Sequence, residues 1–457
     1  MSRHAPNRQL SDLLAEANWS AGDLARAINI LGQAARLSLS YDRTSVAHWL
    51  AGSRPRAPIP DLAARALSRR SGRVITPEDT GLSQSPSSRA ARNPNPLEEG
   101  DPLRRLTALC RQDADPARRS PLTASPYTLA ALTLPDWTPR PTSTSPNASE
   151  RAVSCSSADV RILQEMAEVF ASLCSAHGGG HARSALAAYI TDDAERMLVA
   201  PATSEVHQHL CTAAAQLTHL LGVMTEDAGY AGLAQCYYRT ALDLARQADD
   251  RATYAITLRT MSLQALSLGH PSQAHTLAQT ALDTAGAGTT TAATRSFLLA
   301  QRALTYAAVR QPRRSRADLR AADRQHERAS SPPGPFTSYP RAGLEYHTAR
   351  TLNALGEPGP ALASLTHAAR HRAPAQGKAW ALTHARLAEA RVNLGQLEAA
   401  CDHWHTFLDH YPYLHSAQVD QALTRLRQRA GAFPRQNRAV SLLHRARGLE
   451  RPIRPCG

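Results

Sequence analysis

The sequence predicts an all-α chain: a compact N-terminal block of short helices, a Pro/Ser-rich connection and a long C-terminal array of helical hairpins. Three observations lead there. Hydrophobic residues make up 42% of the 457 residues but aromatics only 5%, and alanine is abundant throughout. Ala is the strongest helix former, whereas strands favour β-branched and aromatic residues. Apolar positions recur at helical spacing on both sides of a proline-dense stretch. A Gly/Ala pattern then repeats at about 40-residue intervals in the C-terminal part.

The first block covers residues 1–82. In "LSDLLAEANWSAGDLARAIN", Leu10, Leu13, Leu14 and Ala17 have helical spacing. Ser20 is a good N-cap with Asp23 three residues later, a start resembling a capping box, and Leu24, Ala25 and Ile28 then face inward. "YDRTSVAHWLAGSRPRAP" supplies the next helix, over about 43–51. A 100° wheel places Val46, Trp49 and Leu50 on a packing side. Thr44, Ala47, His48 and Ala51 lie opposite, with Ser45 on the flank. Gly52 stops this helix and Pro55 keeps it from resuming. "IPDLAARALSRRSG" is a fourth helix starting near Pro60, with Arg69, Arg70 and Arg73 at its end.

The outer side of the third helix is small and polar, which suits an element that enters a DNA groove. Thr44 and Ser45 can bond phosphates or bases, and His48 can donate to a base acceptor. Arg43, Arg54 and Arg56 bracket the helix and can hold phosphates. The block carries eleven Arg against seven Asp plus Glu. The whole chain has a net charge of +14, consistent with an anionic partner. Lys378 is its single lysine, and a GC-rich genome can itself inflate arginine, so local clustering is the more informative signal.

Residues 83–157 read as linker. Prolines from Pro86 to Pro146 interrupt them, with Ser and Thr between. "PLRRLTALCRQDADPARR" can still form short helices, and "YTLAALTLPDW" could dock on a neighbouring domain. Residues 158–457 form the repeat region. "GYAGLAQCYYRTAL", "GHPSQAHTLAQTAL", "GEPGPALASLTHAA" and "GQLEAACDHWHTFL" begin at Gly229, Gly269, Gly356 and Gly395. Ala234, Ala274, Ala361 and Ala400 recur at one offset, and Ala241, Ala281, Ala368 and Phe407 at a second. Each glycine ends a helix where positive φ is needed, and each alanine lets two helices approach closely. A further copy is expected in "ALTYAAVRQPRRSRADLRAA", with Tyr306, Leu319 and Ala322 in the corresponding places. Stacked hairpins of this size form a solenoid.

The repeats resemble the tetratricopeptide repeat (TPR) over about 200–415. Gly and Ala sit at its offsets, Tyr238 and Trp404 at its aromatic position and Pro412 at its closing proline, although the period exceeds the usual ~34 residues. The N-terminal block resembles the XRE (Cro/repressor-type) helix-turn-helix family, through Leu24-Ala25 and the Trp49, Gly52, Pro55 spacing. Over nearly the whole chain, "DADPARR", "GGGHARSA" and "GLAQCYYRTAL" are similar to recurring signatures of large actinobacterial, Streptomyces-type regulators of development and antibiotic production. The resemblance implies an N-terminal helix-turn-helix domain plus a C-terminal TPR-like α-solenoid. It also implies a transcriptional regulator that binds double-stranded DNA, with a peptide, protein or small-molecule effector in the solenoid groove. Two features depart from the helix-turn-helix pattern. Ala21 replaces a phosphate-bonding glutamine, and residues 30–40 stand where a 3–4-residue turn is usual. That insert either extends the second helix or forms a small wing.

Other chemistry finds little footing. Lys378 lacks the rest of a phosphate loop, and no zinc-protease or nucleophile-elbow motif occurs. Cys174, His177 and His181 could suggest a metal site, but the glycines between them break the helix that would align them. Seven scattered cysteines without a C-x-x-C fit free thiols. No apolar run approaches a membrane span. The expectation is therefore a cytoplasmic, nucleoid-associated homodimer that is not an enzyme and needs no cofactor, metal or membrane. The alternative is a TPR interaction scaffold whose N-terminal block leaves DNA untouched.

Overall fold

The computed structural model describes residues 6–17, 19–34, 39–53, 55, 58–71, 75, 79–82, 101–114, 125–132, 137, 154–286, 290–330, 336 and 339–449. Among them the secondary structure is helical throughout, with no strand. The chain divides into two compact units, Met1–Gly100 and Asp101–Gly457.

The first unit contains helices α1 (Arg8–Glu16), α2 (Ala21–Ala34), α3 (Arg43–Leu50) and α4 (Ile59–Ser71). Its core joins Leu10 and Leu14 of α1, Leu24 and Ile28 of α2, Val46 and Trp49 of α3, and Leu62 and Leu67 of α4. The helix ends are closed by side chains, as isolated N–H groups require. Asn7 Oδ1 accepts from the Leu10 amide, and the Ser20–Asp23 capping box forms as the sequence predicts. Arg70 is exposed yet engaged. Its Nε donates to the Ala17 carbonyl at 3.1 Å, tying α4 to the end of α1.

The second unit begins with α5 (Pro102–Ala114), inside the stretch expected to be linker. The unit boundary thus falls at Gly100/Asp101, and residues 101–114 and 125–132 lie on the repeat side of it. Then come α6 (Ser157–His177), α7 (Gly179–Tyr189), a π-turn at Ile190–Ala194 and α8 (Glu195–Val199). Five hairpins follow: α9 (Ser204–Asp227) with α10 (Ala231–Gln247), α11 (Arg251–Ser267) with α12 (Pro271–Ala285), α13 (Ala292–Ala308) with α14 (Pro312–Glu327), α15 (Arg341–Ala354) with α16 (Pro358–His371), and α17 (Gly377–Asn393) with α18 (Leu397–His410). Helices α19 (Ala417–Gly431) and α20 (Asn437–Arg447) end the described chain.

The repeat signature has a common geometric cause. Every hairpin turn places one residue at positive φ, for example Gly229 at 97°. In the third hairpin that residue is Arg310, at 61°, so the glycine signal is missing there although the turn is present. A non-glycine residue bears a steric cost in this region. All eight small or apolar residues at the two repeat offsets, from Ala234 to Phe407, are buried, and Ala322 of the third hairpin joins them.

The hairpin array closes on itself. Helix α6 packs on both α9 and α17, which belong to the first and last hairpins. The closure is polar at its centre. Asp227, at the end of α9 and 2% exposed, accepts from the Gly179 amide at 2.7 Å, the Ser416 hydroxyl at 2.6 Å and Lys378 Nζ at 3.1 Å. The chain's single lysine is therefore the half-buried cation that joins α17 to α9. Beside it the His415 amide donates to the His177 carbonyl, and the Gly180 amide to the His415 carbonyl. Gly377 faces the Ala176 carbonyl too closely for any β-carbon.

The quoted signatures meet next to this seam. Asp113 of "DADPARR" is buried against Arg183 of "GGGHARSA" in an ion pair, and Tyr237 of "GLAQCYYRTAL" donates to the same carboxylate at 3.1 Å. Helix α5 is thereby fastened to α7 and α10. The extended residues after it are fastened too. Gln235 holds the Thr128 backbone from both sides, at 3.1 Å and 2.8 Å, and Gly232 leaves room for the Ser125 carbonyl.

Candidate nucleic-acid interface

Helix α3 divides as its sequence predicts. Val46 is fully buried and Trp49 nearly so, whereas Arg43, Thr44, Ala47, His48 and Ala51 are exposed. Leu50, placed on the packing side, is half-buried at its margin. Truncating a core Trp costs about 3–5 kcal/mol, so the buried side locks the rotation of the helix about its axis.

Its position along that axis is set by a residue that sequence reading missed. The Asn29 side chain donates to the Tyr41 carbonyl at 2.8 Å and accepts from the Tyr41 amide at 2.9 Å. This amide mimics a strand partner and pins the entry of α3 onto α2. Tyr41 in turn packs its ring on Trp49, with centroids 5.3 Å apart. At the other end the Leu50 carbonyl accepts from the Asn7 amide. No periodicity marks Asn29, because a polar residue on a helix flank is an ordinary sight in sequence.

The insert at 30–40 resolves in part: α2 continues to Ala34. Residues 35–38 lie outside the described residues, and Leu39 packs against the core. Ile30, in the extended part of α2, is 66% exposed.

Of the six candidate residues, Arg43, Thr44 and His48 share the exposed side of α3. Ser45 has a different task. Its hydroxyl donates to Asp42 Oδ1 at 2.8 Å and its amide donates to the same oxygen at 2.8 Å, forming the capping box of α3. The two bonds from Ser45 hold the Asp42 carboxyl below the usual carboxylate range. That capped carboxylate adds a negative charge beside Arg43. Arg54 and Arg56 lie outside the described residues. At the start of α2, Ala21 offers no hydrogen bond, and the neighbouring Asp23 is occupied by Ser20 and Arg26. Bonds from the Ser20 hydroxyl and amide, then Arg26, bring the Asp23 pKa down to about 2.

His181 stacks between His177 and His415, and among the described residues no group of three ligands could hold a metal ion. The six described cysteines are free. No helix among the described residues is long and apolar enough to cross a membrane. A family model described as the SP15 N-terminal domain matches residues 10–83, a span that lies within the first unit. No curated protein matches the chain.

Proposed function

We propose that the chain is a DNA-binding transcriptional regulator, and that α3 is the element it places in the major groove. The exposed Arg43–Thr44–His48 side carries this reading. It is polar and narrow, and Trp49, Val46 and the Asn29 clamp hold it rigidly. Arg43 stands at the helix N-terminus, beside the capping Asp42 carboxylate, and its exposed guanidinium can reach a phosphate. Arg54 and Arg56 add backbone contacts, and Ser45 supports the helix start rather than reading a base. The XRE and TPR likenesses point the same way. A homodimer would place two such helices one helical turn apart on a pseudo-palindromic site. The closed hairpin array would act as the effector-binding half and perform no catalytic step.

The test uses the full chain and DNA selected from a random pool. Arg43→Ala/His48→Ala abolishes the mobility shift while the helical circular dichroism is unchanged. Binding by the natural chain weakens steeply between low and moderate salt, and Arg43→Ala alone lowers the slope of log K against log salt by about one. Unchanged DNA binding by the double variant refutes the assignment and favours the scaffold reading, in which the repeat unit alone engages a partner.

A further inference from the structure

Helices α11 and α15 and the end of α16 carry positive charge that no carboxylate among the described residues neutralises. Arg259 of α11 is 5% exposed. Its Nη2 meets His347 Nε2 of α15 at 2.8 Å, its guanidinium lies 3.9 Å from the Phe297 ring centre, and its Nε has no partner. Arg372, just past α16, is 9% exposed. It bonds the Ala342 carbonyl and Gln376, lies over the Tyr346 ring, and also has an unpartnered Nε. Arg350, one turn along α15 from His347, forms no ion pair or side-chain hydrogen bond among the described residues.

These three cations act on one another's neighbourhood. Burial, then Arg259, Arg350 and Arg372 together, drives the His347 pKa well down, so the imidazole facing them is neutral. Burial lowers all three arginines, Arg259 to about 10. The nearby carboxylates are committed elsewhere. Glu345 is held by Arg341, Glu389 by Arg386 and Arg425, and Glu226 by the Tyr238 hydroxyl. Burying a guanidinium without a counter-charge is costly. Phe297, Tyr346, His347 and Arg350 are each only partly buried, so the cluster meets solvent along an aromatic wall.

We propose that this cluster is a ligand site for a carboxylate borne on an aromatic body. The partly exposed Arg350 fork takes the carboxylate, the buried charges of Arg259 and Arg372 behind it favour an anion there, and Phe297 and Tyr346 take the ring. Guanidinium geometry matches a carboxylate bidentately and stacks on aromatic faces, so one residue type serves both contacts. The site deepens the effector half of the function proposed above. It rests on that reading only for its consequence at DNA, since binding is measured without DNA. Two sources share this chemistry, a free aromatic acid and the C-terminus of a peptide ending in an aromatic residue.

Isothermal titration of the full chain with N-acetyl-phenylalanine, N-acetyl-phenylalaninamide, and the peptide Ala-Ala-Ala-Phe as acid and as amide tests it. Each acid binds at least about tenfold tighter than its amide, as expected for losing a charge-assisted bidentate contact. A stronger response to the peptide acid than to N-acetyl-phenylalanine identifies a peptide terminus, and the reverse a free acid. The half-exposed Arg350→Gln removes the preference for acid and keeps the fold, and Arg259→Met serves as a second, buried variant. Equal binding of acid and amide, no heat from either acid up to millimolar concentration, or an Arg350→Gln chain that still prefers the acid overturns the proposal. Inorganic phosphate binding as tightly as the acids also overturns it, because the aromatic wall would then contribute nothing.

Discussion

Replacing Asp227 by Asn tests whether one buried carboxylate holds the hairpin array closed. The substitution keeps the volume but removes the charge that Lys378 Nζ, the Ser416 hydroxyl and the Gly179 amide all address. The Asn side chain has one acceptor oxygen in place of two, so it can serve Gly179 and Lys378 only by turning its Nδ2 toward Ser416, whose hydroxyl must then accept rather than donate. Breaking a buried ion pair from one side costs about 3–5 kcal/mol, because the remaining charge stays without a partner. Lys378 has a side chain 19% exposed, enough for its ammonium to recruit some water, which puts the cost nearer the lower end. The Asp101–Gly457 unit has roughly 350 residues and an unfolding entropy of about 2.1 cal/mol/K per residue. Its melting temperature should therefore fall by about 4–6 °C if it unfolds as one body. Solution scattering should show a larger radius of gyration, because the seam joins the two ends of the array. Lys378→Met should act similarly, and the double variant should cost clearly less than the two added together. An Asp227→Asn chain that melts within 1 °C of the natural one, with unchanged scattering, refutes a closure that depends on this pair.

Two further outcomes follow from neighbouring residues. Burial raises the Glu226 carboxyl to about 7, partly offset by the bond from Tyr238, so the folded chain holds a proton there that the unfolded chain releases near pH 4.5. The stabilising contribution is complete below about pH 4.5 and is lost as pH rises to 7, by no more than about 3 kcal/mol. Glu226→Gln should abolish that part of the slope of stability against pH in denaturant titrations, and raise stability at pH 8. Separately, Gly232→Ala should eject the segment around Ser125, because the new methyl would occupy the space of its carbonyl oxygen. Limited proteolysis should then cleave between 115 and 150 at least about tenfold faster, a change expected if even ~1.4 kcal/mol of docking is lost.

Much of this was legible before any tertiary contact was known, because it depends on local rules. The wheel for α3 separated Val46 and Trp49 from Thr44 and His48 correctly, since a buried helix face needs only the 3.6-residue period. The Ser20–Asp23 cap could be read for the same reason. The third hairpin was nearly hidden, because Arg310 occupies the positive-φ position that glycine marks elsewhere. Ser45 shows a role that residue type alone did not reveal. Its hydroxyl suited a phosphate contact by type, but a capping partner three residues earlier had already engaged it.

The sequence alone determined the all-α class, the hairpin repeat and the exposed side of α3, all of which follow from periodicity and helix-end chemistry. Tertiary structure decided how the hairpins close and what the polar residues are for. Lys378, Asp227 and Ser416 are far apart in the chain, as are Asn29 and Tyr41 on a smaller scale, and nothing local distinguishes any of them from a solvated side chain. Only when the folded array removes water from them does the partner of each become obligatory. The same withdrawal of water leaves Arg259 and Arg372 with donors that no described residue fills.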